Sequence, residues 1–393
     1  MTYNFDKLTE RRDTNSYKWD AAPEGVLPLW VADMDFETAP AIVSALQRRV
    51  AHGIFGYTRV PEEYYKAVAE WFQSRHGWQI EKEWIQYTSG VVPAISAVIK
   101  ALTVPGDRVI VQGPVYNCFY SSIRNNGCEM VSNSLVYADR TYHIDFDDLE
   151  QKAADPKAKI LLLCNPHNPA GRVWTRSELE RIGNICLRHG VHVVADEIHC
   201  EFAFAGHEYV PFGSLSPELM HNAIVCNSPS KAFNTAGLQI ANIICDDAGI
   251  RQKIDRAINI NEVCDVNPFG VVALIAAYTD EGAEWLAQLK AYLCENYEAL
   301  CSFFAARLPM FPVTRLEGTY LVWVDCSCLP FDSEQIEQQL VDHEKVWINA
   351  GEMYGEEGKH FIRINIACPR QRLTEGLERI AQGLERLQNL KHR

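Results

Sequence analysis

The most constraining feature of this chain is a set of short apolar runs that do not alternate with polar residues and that end abruptly. Lys159–Cys164 is stopped by Asn165-Pro166, Val191–Ala195 runs into Asp196-Glu197, Ala223–Cys226 runs into Asn227-Ser228, and Ala241–Cys245 repeats the pattern. A strand with one wet face alternates with a period of two. An unbroken run of Ile, Leu and Val suits a strand covered on both faces, as in a parallel sheet. Trp84–Tyr87 and Arg108–Gln112 are further strand-like stretches, and helix-like stretches lie between the strands at Val92–Leu102 and Arg176–His189. Strands alternating with helices predict an α/β fold with a mostly parallel sheet.

A chain of 393 residues exceeds what one core usually organises, so two domains are expected. The pattern changes after about residue 285. Long charged helices (Glu284–Leu308, Ser333–His343, Leu373–Leu387) then flank short strands (Tyr320–Val324, His360–Ile366). We expect a large domain over residues 46–285 and a smaller α+β domain built from residues 1–45 and 286–393.

Composition excludes several function classes. A net charge of −14 argues against a nucleic-acid partner, which would be met by Lys and Arg excess. Thirteen cysteines lie without a CxxC pair, and Cys326 and Cys328 are too close for a zinc knuckle or an easy disulfide. Reduced thiols in a cytoplasmic compartment are the expectation. Met1–Asp13 is polar with both charge signs, unlike a signal peptide. The richest apolar stretch, Phe269–Tyr278, is about half the roughly 18–20 residues of a membrane span and reads as a buried helix. GxSxG, P-loop, GxGxxG and HExxH motifs are absent, and adjacent His199-Cys200 cannot chelate one metal in the usual spacings, so no metal site is expected.

In open α/β sheets, ligands bind beyond the carboxyl ends of the strands. The residues just past each strand are therefore informative. Asn227-Ser228-Pro229-Ser230-Lys231 would set a lysine at the sheet rim behind two hydroxyls. Asp196 comes directly after an all-apolar strand, where a carboxylate is partly buried and needs a cationic partner. Asn165-Pro166-His167-Asn168-Pro169-Ala170-Gly171 comes after another. Ser89-Gly90-Val91-Val92 opens a helix, whose free N–H groups and dipole favour an anion.

An anion site, a lysine, a carboxylate and an amide at successive strand ends describe a pocket for pyridoxal phosphate. The order SGxx, NPxNPxG, DExH, SxSK and a late RxN resembles the aspartate-aminotransferase superfamily of fold type I over nearly the whole chain. Five further segments resemble its cystathionine β-lyase branch, the MalY/PatB-type C–S lyases. They are Leu27-Pro-Leu-Trp-Val-Ala-Asp-Met-Asp-Phe36, Gly53-Ile-Phe-Gly-Tyr57, Val194-Ala-Asp-Glu-Ile-His199, Ser230-Lys-Ala-Phe-Asn-Thr-Ala-Gly-Leu238 and Arg363-Ile-Asn-Ile-Ala-Cys-Pro-Arg370. The resemblance implies a mostly parallel seven-stranded sheet in the large domain.

It also implies roles. Lys231 would carry the cofactor covalently and act as base at the substrate Cα. Asp196 would pair with the pyridinium nitrogen. Asn168 and His199 would lie at the ring oxygen, with Ile198 on one ring face and Tyr116, in Gly113-Pro-Val-Tyr-Asn-Cys-Phe119, stacked on the other. Whether the Tyr116 hydroxyl also takes a catalytic part is open. Gly90, Val91, Val92, Ser228 and Ser230 would hold the phosphate, and Tyr57 would reach it from a neighbouring subunit of a homodimer. Arg363 would clamp the substrate carboxylate, with Asn168, Ala32 and Tyr57 nearby. Each has an ordinary competitor: a surface lysine, a helix N-cap aspartate, a core histidine, a core aromatic, a surface tyrosine, an edge-strand salt bridge. Gln239 departs from the aminotransferase pattern, which often has a phosphate-touching Arg there. That departure favours β-elimination from cystathionine, cysteine or other cysteine S-conjugates over transamination by an aminotransferase of the same fold. A regulatory protein on this fold is a third reading, and nothing in the sequence favours it. Trp30, Phe55 and Phe119 are open candidates for the distal pocket.

Overall fold

The computed structural model describes residues 2–260 and 265–391. Its centre is a seven-stranded sheet. In chain order the strands are β1 (Ile85–Thr88), β2 (Arg108–Val111), β3 (Glu129–Ser132), β4 (Ala158–Cys164), β5 (His192–Asp196), β6 (Ala223–Asn227) and β7 (Ala241–Ile244). Across the sheet the order is β1-β7-β6-β5-β4-β2-β3. The unbroken apolar runs are explained by two covered faces. Ile160, Leu162, Val194, Ile224 and Cys226 share one core with the buried face of the helix Val91–Leu102, while Leu161, Leu163, Val193, Ala195 and Val225 belong to the core on the other side. Truncating such a side chain to Ala costs about 2–5 kcal/mol.

One strand departs from the parallel expectation. Ala241–Ile244 runs antiparallel to both of its neighbours, which leaves β1 parallel to the rest. An apolar run reports burial, not direction. A parallel return needs a long crossover, usually a helix, and only the short 3-10 turn Ala236–Leu238 lies between β6 and β7.

Seven helices matter here: α1 (Pro40–His52), α2 (Val91–Leu102), α3 (Asn117–Asn125), α4 (Arg176–His189), α5 (Pro268–Ala277), α6 (Asp280–Arg307) and α7 (Arg370–Lys391). Local chemistry bounds α4. Thr175 and Glu178 form a capping box at its start, and Gly190 closes it at φ 68°. The expected helix Ser333–His343 is split into an α-helical Ser333–Gln339 and a π-type turn, Leu340–Glu344.

The second sheet holds β8 (Leu321–Asp325), β9 (Asn349–Ala350) and β10 (Phe361–Asn365), all antiparallel in the order β8-β10-β9. The N-terminal segment joins this region: Leu27–Pro28 pairs with Val346–Trp347, and the Asn365 side-chain amide donates to the carbonyls of Val31 and Asp33. The expected domain edges at 45/46 and 285/286 fall inside α1 and α6. Among the described residues no helix is long and apolar enough to cross a membrane.

Candidate active site

The carboxyl ends of β1, β4, β5 and β6 meet the N-terminal segment and the β9–β10 region around a cavity of about 430 Å³. Its walls include Ala32, Gly90, Val91, Val92, Tyr116, Asn168, Asp196, Ile198, His199, Ser230, Lys231 and Arg363. Residues separated by more than 300 positions in sequence are thus brought together, because strand ends and loop starts share one rim.

Asp196 ends β5 and is 3% exposed. It accepts the Ile198 backbone N–H at 3.1 Å, and no cationic side chain forms an ion pair with it among the described residues. Burial raises its pKa to about 7, against the pull of that N–H and of Lys231. A buried acid in this state lacks a cation.

Lys231 donates from Nζ to the Ala32 carbonyl at 2.6 Å, and Tyr320 donates to the same oxygen at 3.2 Å. Burial, reinforced by the Arg363 charge, brings the Lys231 amine down to about 8. A far larger fraction is therefore unprotonated near neutrality than for a free lysine. His199 is buried, its Nδ1 has no partner, and burial holds the ring well below the usual histidine range, hence neutral. Burial also raises the Tyr116 phenol, which stays protonated.

Arg363 lies on β10 and is 3% exposed. Its two Nη atoms donate to neutral oxygens only: Asn168 Oδ1 at 3.0 Å, the Trp30 carbonyl at 2.8 Å and Asn349 Oδ1 at 2.7 Å. Its guanidinium carbon lies 4.8 Å from the centre of the Tyr354 ring, and its Nε has no partner. The cradle orients the charge without neutralising it, as a site for an external anion requires.

The start of α2 is a second anion site. Gly90 caps it without a side-chain hydrogen bond, and Gly90, Val91 and Val92 line the cavity, so the first N–H groups of the helix lie at its wall without a side-chain partner.

Two expected contacts lie outside the cavity. Ser228 is buried, with its hydroxyl donated to the Ile240 carbonyl at 2.5 Å and accepting the Ser230 N–H at 3.1 Å. It shapes the loop that presents Ser230. Tyr57 is 97% exposed and does not line its own chain's cavity. Gln239 is exposed, at φ 55°, and its carbonyl accepts from Tyr87. Of the open aromatics, Trp30 lines the cavity, stacked on Trp347 at 4.3 Å. Phe119 is core, and Phe55 is exposed beside Phe269. Sequence reasoning missed Asn349, Met353 and Tyr354, which also line the site. No motif marks them, since they matter only through Arg363 and the cavity.

These groups fit pyridoxal phosphate: a buried acid without a cation, an amine brought close to neutrality, and a helix start open to a phosphate. Fold and site define a pyridoxal-phosphate enzyme of fold type I. The chain belongs to the family described as aminotransferase class I and II, whose profile matches residues 24–380. It is 42% identical to cystathionine β-lyase PatB of Bacillus subtilis (strain 168), covering 97% of this chain and 100% of that one. Among solved structures it is similar to cystalysin from Treponema denticola, which contains a pyridoxal 5′-phosphate cofactor (TM-score 0.95, 34% identity, 98% and 100% coverage). It is likewise similar to the pyridoxal-phosphate-bound C–S lyase from Staphylococcus hominis (TM-score 0.91, 32% identity, 97% and 99% coverage).

Proposed function

We propose that the chain is a carbon–sulfur β-lyase that cleaves L-cystathionine, cysteine or related cysteine S-conjugates to pyruvate, ammonia and a thiol. The observation that carries this is the cation inventory of the cavity. Lys231 and Arg363 are its only Lys or Arg among the described lining residues, and Tyr17, Trp30 and Met353 add apolar surface to that lining. A dicarboxylate aminotransferase needs a second cation for the side-chain carboxylate, whereas a thioether needs an apolar wall. The names of the relatives agree.

In this reading Lys231 would hold the resting cofactor, Asp196 would serve its ring nitrogen, and Asn168 and His199 its ring oxygen. Ile198 and Tyr116 would flank the ring, while Ser230 and the N–H groups of Val91 and Val92 would hold the phosphate. Bound there, pyridoxal phosphate supplies a sink for the electron pair left at Cα. Arg363 holds the substrate carboxylate, which fixes the Cα–H bond toward Lys231 Nζ. The Lys231 amine, free once the substrate amine has taken its place and lowered to about 8 by burial, would take that proton. The sulfur then leaves Cβ as thiolate. Neutral His199 adds no competing charge.

We further propose a cytoplasmic homodimer in which Tyr57 enters the neighbouring site. Its near-complete exposure, next to exposed Ile54 and Phe55, supports this. A fully active monomer in solution would refute it.

The test supplies the purified holoenzyme with L-cystathionine and S-alkyl-L-cysteines and measures pyruvate and thiol, with and without a 2-oxo acid. Pyruvate and thiol without the oxo acid are expected. Amino-group transfer seen only when the oxo acid is present would make the chain an aminotransferase.

A further inference from the structure

The residues that cradle Arg363 are themselves tied to the large domain. Gly351–Tyr354 and Glu356–Gly358 are a pair of 3-10 turns between β9 and β10. They present Met353 and Tyr354 to the cavity. Tyr354 lies against the Arg363 guanidinium, and its hydroxyl donates at 3.3 Å to Asn349 Oδ1, the oxygen that also accepts from Arg363.

The far side of this strap is fastened to the large sheet. The Tyr354 carbonyl accepts from Tyr120 Oη at 2.6 Å and from the Val115 N–H at 2.8 Å, one residue before Tyr116. The carboxylate of Glu357 reaches β3 and the loop after it. Its Oε1 accepts from Ser132 Oγ at 3.0 Å and from Ser134 Oγ. Gly113 makes room for it, because a Cβ there would stand 2.9 Å from Glu357 Oε1. Glu357 has no cationic partner among the described residues. It faces two hydroxyls and a glycine, a contact between the two sheets that surface solubility does not explain.

We propose that Glu357 is a positioning residue for the substrate carboxylate. By fastening the strap to Ser132 and Ser134 it holds Tyr354 and Asn349 in place, and through them the Arg363 guanidinium. This rests on Arg363 being the carboxylate site, but not on which reaction ensues. Both serines donate to one oxygen, so a glutamine, whose carbonyl can occupy that position, keeps the fastening. An alanine loses it.

The experiment measures binding of two probes that lack a leaving group at Cβ, L-alanine and L-alaninamide, to the holoenzyme by the change in cofactor absorbance. Because Glu357 acts through the carboxylate clamp, Glu357→Ala weakens L-alanine roughly five- to tenfold, the scale of one ordinary net hydrogen bond. L-Alaninamide, which lacks the carboxylate, changes less than about twofold. Glu357→Gln binds like the parent. The double variant Ser132→Ala with Ser134→Ala repeats the Glu357→Ala result and serves in its place should that variant fail to fold. Equal weakening of both probes, or of neither, overturns the proposal. Arg363→Lys is the control. If it fails to separate the two probes, the carboxylate reading of Arg363 falls and the strap's role with it. If it separates them and Glu357→Ala does not, only the strap's role falls.

Discussion

Asp196 and Glu201 are buried carboxylates five residues apart on the segment that leaves β5, and the protein treats them oppositely. Glu201 is saturated. It accepts from Trp71 Nε1 at 2.7 Å, Arg75 at 3.0 and 3.2 Å, and His76 Nε2 at 3.0 Å. Burial would raise its pKa, but these partners outweigh it and carry the group down to about 2. Asp196 has one backbone donor and stands at about 7. Glu201 ties the helix Glu62–His76 to the core, with its charge compensated inside the fold. The compensation of Asp196 must come from outside the chain. A buried charge with internal partners is architecture, and one without them is a request for a ligand.

The largest effect that should separate the two is on turnover. Asp196→Asn keeps the shape and removes the charge, and kcat should fall roughly 10³-fold, within the range of positioned acid–base groups. The free chain should be at least as stable as the parent, since a buried uncompensated acid is gone. Steady-state kinetics beside a denaturation curve checks both halves, and a large loss of stability would break the comparison.

Glu201→Gln should do the reverse. Leaving Arg75 and His76 against a neutral amide should cost about 3 kcal/mol of stability, as for one partner of a buried pair. Turnover per folded molecule should hold. A drop in kcat without a drop in denaturation midpoint would place Glu201 in the site.

The subtlest contrast is in sign. Glu201 has a folded pKa of about 2, below its ordinary 4.5, so its stabilisation is complete above pH 4.5 and is lost as pH falls toward 2. Asp196 has a folded pKa of about 7, above its ordinary 3.8, so the cofactor-free chain should lose stability as pH rises from about 4 to about 7. Buried Glu197, also raised to about 7, adds to the same trend. Denaturation midpoints of the cofactor-free chain and of its Asp196→Asn variant across that window isolate the Asp196 share. An unchanged slope in the variant would refute it.

Much of this was legible in the chain. Lys231, Asp196 and Asn168 come soon after apolar runs, and a residue that ends a strand of such a sheet stands at the ligand edge whatever the loops do. Arg363 was readable only through the RxN resemblance, because nothing local distinguishes it from a strand-borne salt bridge. Ser228 and Ser230 looked equivalent in sequence, and a single hydrogen bond to the Ile240 carbonyl separates them. Trp30 and Phe119 are both aromatic residues beside motif positions, yet one lines the cavity and the other is core.

By itself the sequence determined the α/β class, the strand ends and the residues just past them, since periodicity and turn chemistry act over a few residues. Only the tertiary structure decided the reversed direction of β7, the neutral cradle of Arg363, the strap fastened by Glu357 and the contrast between Glu201 and Asp196. Each of these depends on which distant groups arrive beside a given side chain, and burial turns that arrival into a charge state.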